Sequence, residues 1–404
     1  MKKQINSEKK IDVILFTIIF LSGSFLTSND IVPPVVTKGV WILLAFTLFY
    51  MGKYKVKNII NNFLLVGTLI VSVGASALIT RSISTATLFF FVGIILSFLF
   101  ICNWSFDTFR ESYIRILKFL SIFSLIMMLL FIIIPGIMNN LFVVNNINGF
   151  QYCNFLFFSR LRNEAGIGRN CGMFWEPGAF QTFLSIALLL EVSKEMPSTK
   201  NITLFIVTIL TTFSTTGYFV LVLFFLYFIF GKYKEKKRIR ILSFIIIILV
   251  IAFMFLKREY FFSISNYSTF GKLILYSTSS AYHNRVSSVS IRKNSIIQPI
   301  IIFLNNPIFG VGEVTFRQLM VETTLGVTTC TFANWFAIYG VFPGIILVGG
   351  ALKLAQKLDS SLFGRAIFFA ILFLSTATEN YVSSTIICLI LLYGLLSTYV
   401  TEKC

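Results

Sequence analysis

The sequence predicts an all-α polytopic membrane protein of about twelve transmembrane helices, with two large outer (periplasmic) loops and both termini in the cytoplasm. Of its 404 residues, 56% are hydrophobic and 12% are charged, whereas an average soluble chain has roughly 25% charged residues. The mean hydropathy is +0.86. Single hydrophobic cores stop growing at about 250–300 residues, so the chain must contact lipid. This excludes a cytosolic enzyme, a disulfide-rich secreted module and a nucleic-acid-binding domain, despite a net charge of +18.

Twelve segments are candidates for membrane-spanning helices, which need about 20 mostly apolar residues. An apolar run follows the first lysines without a small-residue cleavage site, so we interpret it as a retained first helix rather than a signal peptide. The predicted spans are 11–27, 36–52, 58–80, 84–102, 117–138, 178–193, 201–215, 217–231, 241–256, 331–352, 362–378 and 383–400.

Charge decides how the stretch 201–230 crosses the membrane. As one long helix, it would place the densest basic segment, 231–240, outside. As two short helices that break near Gly217, it leaves this segment inside. Lys and Arg collect on cytoplasmic loops, so the sequence favours two short helices.

This topology divides the chain into five segments. A five-helix membrane segment (1–138) precedes the first large periplasmic loop (139–177). Membrane helices six to nine (178–256) lead to the second large periplasmic loop (257–330), and a three-helix membrane segment (331–404) ends the chain. Two long outer loops among short ones indicate chemistry at the outer face rather than simple transport. The sequence contains no internal repeat, which disfavours a transporter built from duplicated halves.

Arginine is concentrated on the predicted outer segments, whereas lysine dominates the inner ones. A planar guanidinium grips phosphate or carboxylate with two hydrogen bonds, while membrane orientation requires only a point charge. The pattern favours an outward pocket for an anionic ligand. The alternative is that these arginines pair with lipid head groups or with outer-loop glutamates. The eight residues are Arg81, Arg160, Arg162, Arg169, Arg258, Arg285, Arg292 and Arg317.

The acidic residues argue against a metal site. Among the predicted outer acids there is one aspartate and no Asp-x-Asp pair, so a carboxylate-bound cation is poorly supported. His283 is the single histidine, which makes a histidine-based metal site less plausible still. We therefore expect neither a metal nor another cofactor. The outer acids are Asp30, Glu164, Glu176, Glu259, Glu313, Glu322 and Glu379.

The strongest local motif is RNCGMFWEPGAFQ at 169–181. Its Pro-Gly pair marks the turn from a loop into a helix. Glu176 lies at that helix entry, where an acid is favoured by the helix dipole in any case. The functional interpretation is a general base whose aromatic neighbours raise its pKa.

A second motif combines Arg285 and Arg292 with the turn NPIFGVG at 306–312. The two arginines are seven residues apart and share one face if the segment is helical. The Gly-x-Gly unit is usually only a tight turn, and an amide nest for an anion is the alternative.

In this order, these motifs resemble the superfamily of bacterial O-antigen polymerases and O-antigen ligases. An Arg-led amphipathic helix and the NPIFGVG loop precede NWFAIYGVFPG at 334–344, whose second family glycine comes one position late. The polar loop TENY at 378–381 then joins the last two spans. The motif at 169–181 is similar to the polymerase branch. The ligase branch carries a histidine in its last outer loop, and this chain has none there. The resemblance covers about 140–400.

The resemblance implies a metal-independent glycosyltransferase in the inner membrane, with its active site on the periplasmic side. A growing glycan would pass from undecaprenyl pyrophosphate to the acceptor sugar of a new lipid-linked repeat unit. The bilayer surrounds such an enzyme, and the family implies a chain-length regulator as partner but no nucleic acid. Glu176 is the candidate base, with Glu379 as the reserve and His283 as a weaker option. The predicted pyrophosphate ligands are Arg169 and Arg292, with Arg160, Arg162 and Arg285 as helpers.

Two other functions fit the same sequence. A sugar ligase of the same fold would need its last outer loop, with Glu379 and Asn380, to carry catalysis. A lipid-linked oligosaccharide flippase would place charges in the middle of the membrane, whereas the arginines here lie on predicted loops. Cys153 and Cys171 share one outer loop, so a disulfide between them is a further hypothesis.

Overall fold

The computed structural model describes residues 2–52, 59–147, 149–162, 168–233, 235–255, 288–324 and 326–396. These residues form helices together with one small sheet. The first half contains α1 (Lys2–Gly23), α2 (Phe25–Ser28), α3 (Pro34–Met51), α4 (Ile59–Ile79), α5 (Thr85–Asn103), α6 (Phe106–Ile133), α7 (Pro135–Met138), β1 (Val143–Asn145), β2 (Gln151–Phe155) and β3 (Phe158–Leu161).

The second half is helical throughout the described residues. It contains α8 (Pro177–Val192), α9 (Thr199–Thr211), α10 (Thr215–Tyr227) with a π-helical turn (Phe228–Lys232), α11 (Lys237–Phe255), α12 (Ser288–Asn305), α13 (Glu313–Thr324), α14 (Thr331–Tyr339), α15 (Val341–Leu358), α16 (Leu362–Thr376) and α17 (Thr385–Leu395).

The apolar helices identify a multi-pass membrane protein. Within the described residues, six helical segments are long and apolar enough to cross a bilayer: Pro34–Met51, Asn62–Ile79, Thr85–Asn103, Phe106–Ile133, Thr215–Lys232 and Val341–Leu358. Five shorter apolar helices accompany them. On α3, large apolar side chains such as Phe46 and Phe49 are exposed, which is typical of a lipid-facing helix. The figure of twelve spans and their orientation remain predictions.

Helix α8 lies at the centre of the bundle. Every one of its residues is buried, and it contacts α6, α9, α10 and α16. Because its polar residues are buried as well as its apolar ones, α8 is surrounded by other parts of the protein on all sides. We call the end of the bundle that carries the N-terminus of α8 the site end, and the other end the far end.

The sequence prediction of two short helices in 201–230 is confirmed. Helix α9 ends at Thr211 and α10 begins at Thr215. Between them, Phe213 adopts a positive φ of 49°, and Ser214 caps α10 by accepting a hydrogen bond from the Gly217 N–H at 3.4 Å.

The prediction of one span at 331–352 is wrong, because the chain breaks at Gly340. This residue has a φ of 82° and separates α14 from α15. A side chain there would overlap the backbone of Ile308, and the Val341 N–H donates to the Pro307 carbonyl at 2.8 Å. The break is therefore clamped by the 306–312 turn.

The amide nest considered for the 306–312 turn is also contradicted. The amide groups of Gly310, Val311 and Gly312 donate to the carbonyl groups of Asn306, Ala337 and Ile338 at 2.9–3.0 Å. The amides that a nest would offer to an anion are thus used inside the fold, so the turn is structural.

The sheet was missed by the all-α prediction. Strands β1, β2 and β3 pair antiparallel in that order within the first large loop. The three strands have only three to five residues each, so their alternation of apolar and polar residues is too short to be recognised in the sequence. Phe158 of this sheet packs against Phe131 of α6, with ring centroids 5.6 Å apart.

The proposed disulfide is absent from the structure. Among the described residues, Cys153 and Cys171 are both thiols. The Cys153 thiol contacts the Asn139 carbonyl at 3.5 Å, whereas the Cys171 thiol contacts the Arg169 carbonyl at 3.9 Å.

Candidate active site

Glu176 lies at the N-terminus of the central helix α8. It adopts an extended conformation (φ −147°, ψ 156°), and Pro177 follows at the first helical position, where a missing N–H costs nothing. The Glu176 side chain is exposed and makes no capping hydrogen bond. The partial positive charge of the helix end favours an anion here.

Glu379 reaches the same helix end from the loop between α16 and α17. A Cβ atom added at Gly178 would lie 2.9 Å from Glu379 Oε1, so this carboxylate occupies the space that a side chain would take. Gly178 is in the first turn of α8, two residues after Glu176. The structure thus places the Glu379 carboxylate beside the helix turn that Glu176 precedes.

The backbone of the Glu379 loop is held by the segment before α14. The Thr331 hydroxyl donates to the Glu379 carbonyl at 3.0 Å and accepts from the Tyr381 N–H at 2.9 Å. The Asn380 amide donates to the Thr328 hydroxyl at 2.9 Å. These bonds fix the position from which the Glu379 side chain extends.

The ring of Tyr381 also fixes this loop. It is buried and lies 5.9 Å from the Trp175 ring, measured between centroids. Burial raises the pKa of the Tyr381 phenol well above its ordinary value, and the nearby charge of Glu379 raises it further. The phenol is therefore neutral and adds no charge beside the carboxylates. Its neighbours Trp175 and Glu379 belong to the two segments that carry the candidate bases.

Arg169 is half-buried beside the junction of α9 and α10. Its Nε donates to the Thr212 carbonyl at 3.4 Å. The next residue, Asn170, is buried and donates to the hydroxyls of Ser124 and Thr211 at 3.1 and 3.0 Å. Arg169 therefore begins a segment that is anchored to two helices and ends at Glu176.

Arg160 and Arg162 are built into the sheet region. Arg160 is 3% exposed, and its guanidinium lies 4.9 Å from the centroid of the Phe131 ring. Arg162 donates to the Asn139 carbonyl at 3.0 Å and to the side chains of Gln151 and Asn140 at 2.7 and 3.0 Å. The Arg160 guanidinium thus packs against α6, whereas the Arg162 guanidinium bonds within the first loop.

Arg292 lies on α12 within its first turns, whereas Arg285 and His283 fall outside the described residues. One turn after Arg292, the Ser295 hydroxyl hydrogen bonds to the Thr329 hydroxyl at 2.7 Å. Thr328 is the neighbour that holds Asn380. The helix that carries Arg292 is thus joined to the segment that supports Glu379.

Glu313 is a buried acid that the sequence did not single out. It is 4% exposed on α13 and pairs with the exposed Arg317 at 2.6 Å. Burial raises the pKa of Glu313, although Arg317 opposes the shift. The i,i+4 spacing of the pair was visible in the sequence, but nothing in it indicated burial.

Within the described ranges, no three residues among His, Cys, Asp and Glu lie close enough to hold a metal ion. His283 and Glu259 are outside these ranges, so a metal-free site remains a prediction. What the described residues provide is a pair of carboxylates that can accept a proton and a guanidinium on the same segment.

A comparison with protein families matches residues 201–348 to the family described as O-antigen ligase. The match begins at α9 and ends within α15. It includes Arg292, Glu313 and the 306–312 turn, but neither Glu176 nor Glu379. No curated protein matches the chain. The family match over residues 201–348 supports the resemblance to the O-antigen ligase and polymerase superfamily that the motifs indicate.

Proposed function

We propose that the protein is a polysaccharide polymerase of the O-antigen type. It transfers a growing glycan from undecaprenyl pyrophosphate to the acceptor sugar of a new lipid-linked repeat unit, without a metal. The observation that supports this proposal is the position of Glu379 beside Gly178 in the first turn of α8, the helix that Glu176 precedes. Arg169 begins the segment that leads to this helix end.

The reaction requires one group that accepts a proton and others that stabilise a leaving anion. The acceptor hydroxyl attacks the anomeric carbon of the growing chain. A C–O bond forms there as the bond to the pyrophosphate oxygen breaks, and the hydroxyl proton passes to a carboxylate. The lipid pyrophosphate leaves as a weak base, so it needs positive charge rather than a general acid.

Glu379 is the better base of the two carboxylates. Its loop is fixed by Thr331 and Asn380, and a site held by rigid neighbours controls geometry more closely than an exposed side chain does. Glu176 is exposed and serves to orient the acceptor hydroxyl beside the base. This reverses the order of preference that the sequence suggested.

The arginines divide into two groups. Arg169 and Arg292 bind the pyrophosphate, and Arg285 assists them. Arg160 and Arg162 support the loop, because one is buried against Phe131 and the other donates three hydrogen bonds to the loop itself.

A ligase that acts on a lipid core is the second candidate, since the matching family is described by that activity. The loop 378–381 contains no histidine, and a ligase of this family is expected to use one there. The polymerase is therefore the preferred function. It acts on the periplasmic side of the inner membrane, and a chain-length regulator is its expected partner.

The test is a lipopolysaccharide gel from the host strain after deletion of the gene. A ladder that collapses to the core plus a single repeat unit supports the polymerase. Loss of every unit from the core contradicts it and indicates the ligase or a flippase. An unchanged ladder also contradicts an O-antigen role, in which case capsule and exopolysaccharide are tested next.

Complementation then examines the site. Glu379→Gln and Arg169→Ala should fail to restore the ladder although the protein reaches the membrane. Glu176→Gln should restore only short chains. Thr47→Ala is the control, because Thr47 lies on the exposed face of α3 and bonds only to its own helix, at the Leu43 carbonyl. A full ladder with Glu379→Gln would rule out this carboxylate as the base.

A further inference from the structure

A polar cleft of about 250 Å³ lies between the first helices and the N-terminus of α17. We call it the Ser384 cleft. Hydroxyl and amide groups line it together with two aromatic rings; the residues that matter here are Ser22, Thr37, Trp41, Phe89, Asn380 and Ser384. Alternating polar groups beside aromatic faces suit a sugar ring, which has hydroxyls at its edge and C–H groups on its faces.

Two hydroxyl groups in this cleft have no partner. The Oγ atoms of Ser22 and Ser384 are buried and form no hydrogen bond with any residue that the structure describes. Ser384 is 8% exposed. It stands at the N-cap of α17, where serine normally accepts a bond from the helix, yet its side chain makes none. A buried hydroxyl without a partner destabilises the fold, so a ligand that bonds to both hydroxyl groups would remove this penalty.

The backbone adds donors to the same cleft. The first hydrogen bond within α17 runs from the Cys388 N–H to the Ser384 carbonyl. The amides of the preceding turn, including that of Thr385, thus have no acceptor within the helix. A ligand hydroxyl can accept from such amides and donate to Ser384 and Ser22.

The two charged residues at the cleft have opposite signs. Asp30 and Lys38 both line it, and both are exposed. One negative and one positive group leave no excess positive charge, unlike a site for phosphate, where several donors of one sign converge. The cleft therefore suits an uncharged ligand and differs in kind from the arginine-rich side of the molecule.

The cleft adjoins the two carboxylates. Asn380 lines it and follows Glu379 directly. On its other side, Ser22 precedes Gly23, and a Cβ added at Gly23 would lie 3.1 Å from the rings of both Phe174 and Trp175. A ligand in the cleft is thus flanked by the segments that end in Glu176 and Glu379.

We infer that the Ser384 cleft binds one uncharged sugar ring, the ring of the incoming repeat unit that carries the attacking hydroxyl. The acceptor role rests on the proposed function, whereas sugar binding itself rests on the cleft alone. Ligand pockets commonly measure about 300–1,000 Å³, so a cleft at or below this range accommodates a single ring rather than an oligosaccharide. Ser22, Ser384 and the first backbone amides of α17 would form hydrogen bonds with this sugar, and Trp41 would pack against one of its faces.

The experiment uses the full-length protein in lipid nanodiscs. The donor is the host's lipid-linked repeat unit, and the soluble acceptor is the repeat-unit oligosaccharide released from the lipid by mild acid. Ser384→Ala should raise the KM for the acceptor about tenfold, the equivalent of one hydrogen bond, with kcat and the donor KM within about twofold. Ser22→Ala combined with Ser384→Ala should raise the acceptor KM further.

A second readout does not depend on turnover. Saturation-transfer difference NMR measures whether the free oligosaccharide contacts the wild-type protein, and the signal should fall in the Ser384 variants. Ser384→Gly is the second variant, because glycine is well tolerated at an N-cap and preserves folding. Thr47→Ala again serves as the control, since it removes a hydroxyl from α3 outside the cleft.

The outcomes separate the two proposals. An unchanged acceptor KM and an unchanged NMR signal in both Ser384 variants would overturn the proposal that the cleft binds a sugar. Chain extension by the wild-type protein would still support the polymerase. Ser384-dependent binding without any extension would support the cleft and contradict the polymerase. An equal loss of binding in Thr47→Ala would mean nonspecific contact and would also overturn the cleft.

Discussion

The two ends of the helical bundle use charged side chains differently. At the far end, opposite charges meet: Lys194 pairs with Glu111 at 2.8 Å and with the buried Glu191 at 3.3 Å, and Arg115 pairs with Asp12 at 2.9 Å. These contacts join α1, α6 and α8 across the sequence. These ion pairs therefore stabilise the arrangement of the helices at the far end.

At the site end, four of the candidate residues have contacts of another kind. Glu176 and Glu379 share one helix terminus, Arg169 is held by a carbonyl oxygen and Arg160 lies against an aromatic ring. A carbonyl or a ring positions a guanidinium without cancelling its charge. The comparison shows that ion pairs between helices organise the fold at the far end, whereas at the site end two carboxylates lie at one helix terminus and two guanidinium groups contact uncharged groups.

The largest effect should come from Gly178→Ala. The added methyl group would displace the Glu379 carboxylate, which lies 2.9 Å from the Cβ position, so the rate of chain extension should fall by about 100-fold, the equivalent of roughly 2.7 kcal/mol. Stability should not fall, because alanine is favoured over glycine inside a helix by about 0.5–1 kcal/mol. Extension assays and thermal unfolding of the same preparation measure both.

Gly39→Ala is the matched control for this variant. Gly39 also lies in a helix, α3, and a Cβ there would meet nothing within 4 Å. It should leave extension unchanged. Equal activity of Gly178→Ala and Gly39→Ala would contradict a role for the Glu379 position.

The next largest effect should be on stability, at the far end. Lys194→Ala removes the ion-pair partner of Glu191, whose side chain is 1% exposed, although Lys232 remains near this carboxylate. The Ser198 N–H and the Asn201 amide still bond to this carboxylate, so the expected cost is about 2–3 kcal/mol, below the 3–5 kcal/mol typical of a broken buried pair. Chain extension per folded molecule should be unchanged. A loss of activity without a loss of stability would mean that the two ends do not differ as described.

A smaller effect should appear in the pH dependence of stability, through Glu313. Burial raises its pKa above the ordinary value of 4.5, with Arg317 opposing and Tyr339 nearby. The folded state thus favours the protonated acid, and its contribution is fully present below pH 4.5 and lost as the pH rises through the raised pKa. Glu313→Gln should flatten this part of the stability profile, by roughly 2 °C in Tm. Scanning fluorimetry from pH 4 to 8 measures it, and parallel profiles for the two proteins would contradict it.

The smallest effect should come from Arg115→Ala. Its ion pair with Asp12 is partly exposed, at 43% and 34% for the two side chains. Surface pairs of this kind contribute about 0.2–1 kcal/mol, so the change in unfolding free energy should lie within that range and shrink in high salt. A loss of unfolding free energy as large as that of Lys194→Ala would show that solvent exposure does not determine how much each far-end ion pair contributes to stability.

Much of the helical fold could be predicted from sequence. A membrane-spanning helix requires a long run of apolar residues, and the hydropathy of the sequence reveals such runs directly. The break between α9 and α10 was predicted from the charge of 231–240. The break at Gly340 was not, because it depends on the backbone of Ile308, which is distant in sequence. The sheet was missed for a similar reason, since its strands are short and are defined by pairing.

The candidate site was predictable in its residue types but not in its geometry. Glu176 and Arg169 stand in one motif, and the helix entry at the Pro-Gly pair was predicted. Local sequence says nothing about the approach of Glu379 to Gly178, which brings together residues 201 positions apart. Nor did it indicate that Arg162 is engaged by the first loop or that Ser384 is buried without a partner.

The contact between the 306–312 turn and the break at Gly340 restricts which positions of this fold can change. Gly310, Gly312 and Gly340 each have a positive φ and no space for a side chain, so sterics alone restrict these positions whatever reaction the protein catalyses. They fall within the matched region 201–348, whereas Glu176 and Glu379 lie outside it. A scaffold fixed by such steric requirements keeps its shape while residues outside it, Glu176 and Glu379 among them, are open to change.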